Sequence, residues 1–256
     1  ARLKKGNDYL NPEFEIIADE ALSDDSKSKL IIFLNKWLNS HIDQVLGDLI
    51  KLTKHKIENR HLRGLVFQLY ESNGLIKRTE VEKIVKLIPP EERKKLWNMG
   101  IKIGRYHIYL PKMLKPKAVE FRISLWKIFH GLSEKNEIPQ FGLNFLINKN
   151  FERNFLLLCG FEKFNDFFIR IDILEKLFIK IIDNTKERKF KINAEMMNLL
   201  GCSKENFYKL MTYMNYKKDK SIDTYIFQGE RKKKEKLIKF DKKENPFNKL
   251  LALNIK

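Results

Sequence analysis

Residues 26–54 read SKSKLIIFLNKWLNSHIDQVLGDLIKLTK and carry a long regular pattern of apolar side chains. These side chains recur three and four positions apart, at Leu30, Phe33, Leu34, Trp37, Leu38, Ile42, Val45, Leu46, Leu49 and Ile50. Such spacing places them on one face of an α-helix. Gly47 weakens the pattern, so it fits either one long helix or two shorter ones.

The segments on both sides of this helix extend the pattern. Residues 1–25 are acidic and predict a strand-like leader that lies on the body. After residue 54, turn and cap signals predict helices over 61–72, 79–88 and 90–100, a short hairpin around Gly104, and a helix from Pro116 that is closed by Gly131. The apolar helical faces predict that all three tryptophans, Trp37, Trp97 and Trp126, are buried.

The second half of the chain repeats the order of helices followed by a hairpin. Residues 132–149 are interpreted as a linker. Two short helices over 193–200 and 203–215, joined by Gly201-Cys202, form a helix-turn-helix-like pattern. A small wing follows at Tyr216 and 225–227, and then a basic tail.

The predicted fold class is mainly α: helical-bundle subdomains with small β-hairpins and, as an option, winged-helix-like elements. Only 11 Gly and 7 Pro are present, which suits helices better than sandwiches or barrels. We expect two subdomains. Residues 1–131 would form a helical accessory subdomain with the acidic leader and the basic hairpin, and residues 150–256 a second one with the helix pair and the tail.

The net charge of +18 favours a polyanionic partner. The chain holds 40 Lys and 11 Arg, and an AT-rich genome would also enrich Lys. The charge alone therefore indicates nucleic acid as the partner class without identifying single contacts.

Several classes of chemistry have no motif here. The sequence has no glycine-rich phosphate loop followed by Lys-Ser or Lys-Thr, no acidic box and no Gly-x-Ser-x-Gly. The two cysteines, Cys159 and Cys202, predict buried thiols in a reducing compartment rather than a disulfide or a zinc site. We expect no catalytic residues, no metal ligands and no cofactor in this chain, and no membrane span.

Residues 100–122 are the strongest candidate for a binding surface. They read GIKIGRYHIYLPKMLKPKAVEFR, in which cations far outnumber the single acid Glu120. Cations can contact phosphates and aromatic rings can stack unpaired bases. The candidate nucleic-acid-binding residues are Lys102, Arg105, Tyr106, His107, Lys112, Lys115, Lys117 and Arg122, together with Arg231, Lys232, Lys233 and Lys234 of the tail. The alternative is that the hairpin only packs against the core.

The same stretch also carries a family resemblance. LWNMGIKIGRY at 96–106, followed by Leu110-Pro111 and then Leu114-Lys115-Pro116, resembles the C-terminal region of alphaproteobacterial superfamily-two helicases, relatives of the mitochondrial RNA-degradosome helicase. Further segments resemble that region in the same order, at 62–74, 170–175, 196–207 and 246–250.

The resemblance implies a nucleic-acid-binding accessory region of an ATP-dependent helicase that holds the translocating single strand. The motor core, with its ATP and Mg²⁺, would lie N-terminal to Ala1. Lys102 stands where the family uses Arg. The implied location is cytoplasmic, with the mitochondrial matrix as an alternative.

Two other functions stay open. The helix pair at 193–215 could serve a stand-alone nucleic-acid-binding module, such as a regulator or a ribosome-associated protein. The chain could also be a scaffold whose charge reflects genome composition alone.

Overall fold

The computed structural model describes residues 1–17, 23–131, 138–147, 151–165, 167–219 and 223–227. The leader forms an antiparallel pair of strands, β1 (Arg2–Lys4) and β2 (Glu13–Glu15). One uninterrupted helix follows, α1 (Asp24–Lys54). It begins at Ser23, whose side chain accepts the Ser26 N–H and so satisfies one donor of the first turn. Gly47 does not divide it.

Three consecutive units follow α1. The first unit contains α2 (Arg60–Glu71), β3 (Leu75–Lys77), α3 (Arg78–Leu87), α4 (Pro90–Asn98), β4 (Lys102–Ile103) and β5 (His107–Tyr109). The second contains α5 (Pro116–His130), β6 (Phe145–Ile147), α6 (Arg153–Leu158), β7 (Phe161–Phe164) and β8 (Phe167–Arg170). The third contains α7 (Ile171–Asp183), β9 (Lys189–Lys191), α8 (Ala194–Leu200), α9 (Lys204–Tyr213), β10 (Tyr216–Lys218) and β11 (Thr224–Phe227).

The three units share the order in which their strands pair. Each runs from a helix into a first strand, then through further helix into an antiparallel hairpin, and the last strand lies in the middle of the sheet. The strand orders are β3-β5-β4, β6-β8-β7 and β10-β11-β9. In the first and third units two helices separate the first strand from the hairpin, as in a winged helix, whereas the described residues of the second unit hold one helix there, α6. The sequence itself shows no evident repeat.

The prediction of a mainly α bundle is wrong. The described residues include four small antiparallel sheets beside the helices, so the fold is mixed α and β. The strands are two to four residues long and are too short to show an alternating pattern in the sequence. Residues 145–147, inside the predicted linker, form β6, an edge strand of the β6-β8-β7 sheet.

Each unit has its own apolar core. The core of the first unit is shared with α1 and α5. The second unit encloses its own cluster, and the cluster of the third unit includes Phe167 and Ile169 from β8 of the second. A small cluster of Leu75, Tyr109 and Ile171 joins the first unit to the start of the third. Within the described residues no helix combines the length and the apolar character needed to cross a membrane.

The tryptophan prediction is wrong for two of the three. Trp37 is 54% exposed and Trp97 is 70% exposed, whereas Trp126 is half-buried beside the second core. Trp37 lies on the N-terminal half of α1, where the buried face begins only at Leu38. Trp97 lies on α4, whose only buried side chain is Leu96.

Candidate nucleic-acid interface

The turn between β4 and β5, residues 104–107, is fixed through its backbone. The Gly104 N–H donates to the His107 carbonyl at 2.8 Å, which closes the turn. Arg78 holds the turn from the start of α3. Its N–H donates to the Tyr106 carbonyl at 2.9 Å, and its Nη1 donates to the Gly104 carbonyl at 2.8 Å.

Glu175, a buried residue on α7, caps the same turn from the third unit. Its Oε2 accepts the Arg105 N–H at 2.6 Å. Its Oε1 accepts the N–H groups of Tyr106 and His107, both at 2.9 Å. A Cβ at Gly104 would lie 2.3 Å from the Glu175 carboxyl carbon, so only glycine permits this approach. The turn is therefore rigid and locked to α7.

Buried charges join the three units behind this turn. His107 Nε2 lies 2.8 Å from Glu162 Oε2 on β7, and its Nδ1 lies 3.6 Å from Glu175 Oε1. Lys77 of the first unit donates to the other oxygen of Glu162. Burial by itself would lower the pKa of His107, but the hydrogen bond to Glu162 and the nearby charge of Glu175 outweigh burial and raise it. Burial would raise the pKa of Glu162, but its bonds to His107 and Lys77 hold that pKa below the usual range.

Arg122 has a structural role and does not belong to the candidate interface. It is 1% exposed, and its guanidinium donates to the carbonyls of Asn73, Met113 and Leu158. The bonds to Met113 and Leu158 are 3.0 and 2.6 Å long. Asn73 lies in the α2–β3 turn of the first unit, Met113 between the two units, and Leu158 at the end of α6 in the second unit. Arg122 on α5 therefore fixes the two units to each other and cannot reach a ligand.

A cleft of about 710 Å³ lies between this turn and α7, and we call it the hairpin cleft. Six cationic side chains line it, against two acidic ones. The cations are Arg78, Lys102, Arg105, Lys115, Arg170 and Lys176. Apolar and aromatic lining residues include Trp97, Phe178, Ile179 and Ile182.

Both acids in the cleft are engaged by other groups of the protein, Asp172 by a cation and Glu175 by uncharged backbone N–H groups. Asp172 accepts two bonds from Arg170, at 3.1 and 2.7 Å, in the fork geometry typical of arginine. Glu175 is used by the three N–H groups of the turn. The remaining cations therefore give the hairpin cleft a positive potential, which suits a phosphate backbone.

The sequence-predicted residues divide into two groups. Lys102, Arg105 and Lys115 line the hairpin cleft together. Lys112 instead pairs with Asp48 of α1 at 2.9 Å, and Lys117 is exposed outside the cleft lining.

The predicted stacking residues are not free to stack. Tyr106 is half-buried with its ring edge-on to Phe178, at 5.6 Å between centroids, and burial raises its pKa. His107 and Tyr109 are buried. The tail cations Arg231, Lys232, Lys233 and Lys234 lie outside the described residues.

Sequence reasoning missed four residues of the cleft: Arg78, Trp97, Arg170 and Lys176. Trp97 was interpreted as core because it lies on an apolar helical face of the sequence pattern. The other three come from α3, β8 and α7, and only the packing of the third unit on the first brings them to one place.

The helix pair α8 and α9 also carries cations. Lys204, at the start of α9, pairs with Asp223 at 2.9 Å, and Tyr208 donates to the same carboxylate. Lys209 on α9 and Lys217 on β10 are exposed. This surface is basic but partly neutralised, and the exposed aromatic ring next to it is Tyr213.

Among the described residues, no three His, Cys, Asp or Glu side chains are grouped so as to hold a metal ion. Comparison with protein-family models, with characterised proteins and with solved structures finds no match for this chain. A function can therefore be proposed only from the cleft and from the sequence resemblance described above.

Proposed function

We propose that this chain binds a single strand of nucleic acid in the hairpin cleft, largely independently of sequence. The observation that supports this is the cluster of six cations around the turn held by Glu175, against two acids of which one is paired with Arg170. Phosphates are common to every sequence, so contacts of this kind hold a strand without reading it. The strand meets a preformed surface, which lowers the ordering cost of binding.

The family resemblance extends the proposal to a larger machine. On that view the chain is an accessory region of an ATP-dependent helicase, and the strand leaves the motor along the hairpin cleft. ATP and Mg²⁺ would be bound by the motor, and the complex would work in the cytoplasm or the mitochondrial matrix.

The test is a triple substitution in the cleft, Lys102→Ala, Lys115→Ala and Lys176→Ala. All three side chains are exposed, so the fold is expected to be retained. The matched control removes three exposed lysines elsewhere, Lys36→Ala, Lys51→Ala and Lys83→Ala, and so changes the net charge equally. We expect the cleft variant to lose at least about tenfold in affinity for a labelled single strand at fixed salt. Equal losses in the two variants would mean that binding follows net charge and not the cleft.

The second candidate is a stand-alone binding module that uses α8 and α9. The observation in its favour is the winged-helix connectivity of the third unit with exposed Lys209 and Lys217. Lys209→Ala with Lys217→Ala distinguishes the two functions. This pair would abolish binding by the module and leave binding in the hairpin cleft nearly unchanged.

A further inference from the structure

The hairpin cleft has an apolar side that phosphate contacts leave unexplained. Trp97, Ile179 and Ile182 line it and are 70%, 57% and 53% exposed. An exposed indole of this kind is costly to leave in water, and clustered exposed apolar groups mark binding sites. Trp97 belongs to the first unit, and the two isoleucines belong to α7 of the third.

Trp97 is the one aromatic ring of the described cleft lining that is open to a ligand. Tyr109 is buried. Phe178 is half-buried, with the Arg105 guanidinium 5.7 Å from its centroid and the Tyr106 ring against it edge-on. The indole of Trp97 has no such cover, because Leu96 takes the buried position of α4 and turns Trp97 outward.

We infer that Trp97 is a base-stacking site, so that the hairpin cleft selects strands with unpaired bases over other polyanions. This inference rests on the proposed function and names the feature of the ligand that the cations cannot recognise. An unpaired base has an aromatic face that can lie on the indole, while its phosphates meet Lys102, Lys115 and Lys176 on the same cleft. In a duplex the base faces are already stacked on each other and are not available.

The occupant is chosen by charge as well as by shape. A protein partner would have to bury the lysines of the cleft lining, and lysines are depleted from the centres of protein interfaces. A nucleotide instead uses an aromatic face and an anion next to each other, which is what this lining offers. An acidic peptide shares the anion but lacks the flat base, and it serves as a competitor in the test.

The experiment uses the full chain with Trp97 as its only tryptophan. The chain has 3 Trp, so Trp37→Phe and Trp126→Phe produce this reporter. It is titrated with oligothymidylate, with an abasic sugar–phosphate chain of equal length, with a duplex and with polyglutamate. We expect oligothymidylate to quench the fluorescence of Trp97 and the other three ligands to leave it nearly unchanged.

Affinities of the otherwise unmodified chain give the second readout. Trp97→Ala should weaken binding of oligothymidylate by about 5- to 100-fold and leave the affinity for the abasic chain unchanged. Trp97→Phe should restore part of the loss, because it keeps an aromatic face. The control, Trp37→Ala, removes an exposed tryptophan of α1 that does not line the cleft and should change neither affinity.

The results that contradict the stacking inference differ from those that contradict the proposed function. If Trp97→Ala binds oligothymidylate like the unmodified chain, or if polyglutamate quenches Trp97 equally well, the stacking inference is wrong. The proposed function survives that result as long as the triple lysine variant still loses affinity for the abasic chain. If the triple variant loses nothing with either ligand, the proposed function itself is wrong.

Discussion

Glu175→Gln is the most informative single change in the scaffold of the cleft. The substitution keeps the shape of the side chain but replaces one carboxylate oxygen with an NH₂ group and removes the charge. The carboxylate now accepts three backbone N–H groups from residues 104–107. A hydrogen bond to a charged acceptor contributes about 1 kcal/mol more than a neutral one.

The size of the effect follows from these bonds. The glutamine oxygen can still accept from Tyr106 and His107, at a loss of about 2 kcal/mol for the two bonds. Its NH₂ then faces the Arg105 N–H, and an unsatisfied buried donor costs about 1–3 kcal/mol. Relief of the buried charge offsets part of this, which leaves about 2–4 kcal/mol of lost unfolding free energy.

The assay is urea unfolding of the full chain, followed by far-UV circular dichroism. The matched control is Glu195→Gln on α8, whose carboxylate is exposed and pairs with Lys180 at 2.7 Å. That change should cost far less, because an exposed ion pair contributes little to stability. If Glu175→Gln costs no more than Glu195→Gln, then Glu175 does not fix the turn and the argument for a rigid cleft is refuted.

Three further predictions concern the same scaffold. Arg122→Leu should lower the free energy of unfolding in urea by at least about 3 kcal/mol, because three carbonyls lose a charged donor. The control Lys117→Ala, on the exposed side of α5, should lower it by less than about 0.5 kcal/mol. Similar losses in the two variants would contradict the role assigned to Arg122. Because the folded pKa of His107 is raised, its contribution to stability is complete below the unfolded pKa of about 6.5 and is lost as the pH rises through the folded pKa. The unfolding midpoint of the unmodified chain should therefore decline across this pH range, and the midpoint of His107→Gln should decline less. Equal declines in the two proteins would contradict this role of His107. Gly104→Ala should destabilise the chain because the new Cβ would lie 2.3 Å from the Glu175 carboxyl carbon. Gly47→Ala, with no atom within 4 Å of the new Cβ, should instead stabilise α1 by about 0.5–1 kcal/mol. Thermal melts in which both variants shift the melting temperature in the same direction would be inconsistent with the packing described.

The longer helices could be predicted from the sequence because each spans several turns. The caps at Pro90, Pro116 and Gly131 appear where the local pattern indicates them. The sheets could not be predicted, since a strand of three residues has no usable period and its pairing partner lies far away in the chain. Three short sheets with one connectivity became visible only through their strand order.

The candidate site was predictable only where it is local. Lys102, Arg105 and Lys115 lie within one basic stretch, and the structure brings them to one cleft. The contact of Glu175 with the turn spans about 70 residues, as does the approach of Lys176, and no local signal announces either. Arg122 belongs to the same basic stretch but points inward, because charge in a sequence does not show the direction of a side chain.

The salt dependence of strand binding tests the central proposal most directly. The affinity of the full chain for a labelled single strand is measured at four salt concentrations. The same titration is run on the Lys102, Lys115 and Lys176 triple alanine variant, on the Lys36, Lys51 and Lys83 control, and on a variant with Arg231, Lys232, Lys233 and Lys234 replaced by alanine. Each phosphate contact contributes about −0.7 to the slope of log affinity against log salt, so the cleft variant should flatten the slope by about two. If the cleft variant keeps the full slope and the tail variant loses all of it, the strand binds to the tail and the hairpin cleft is not its site.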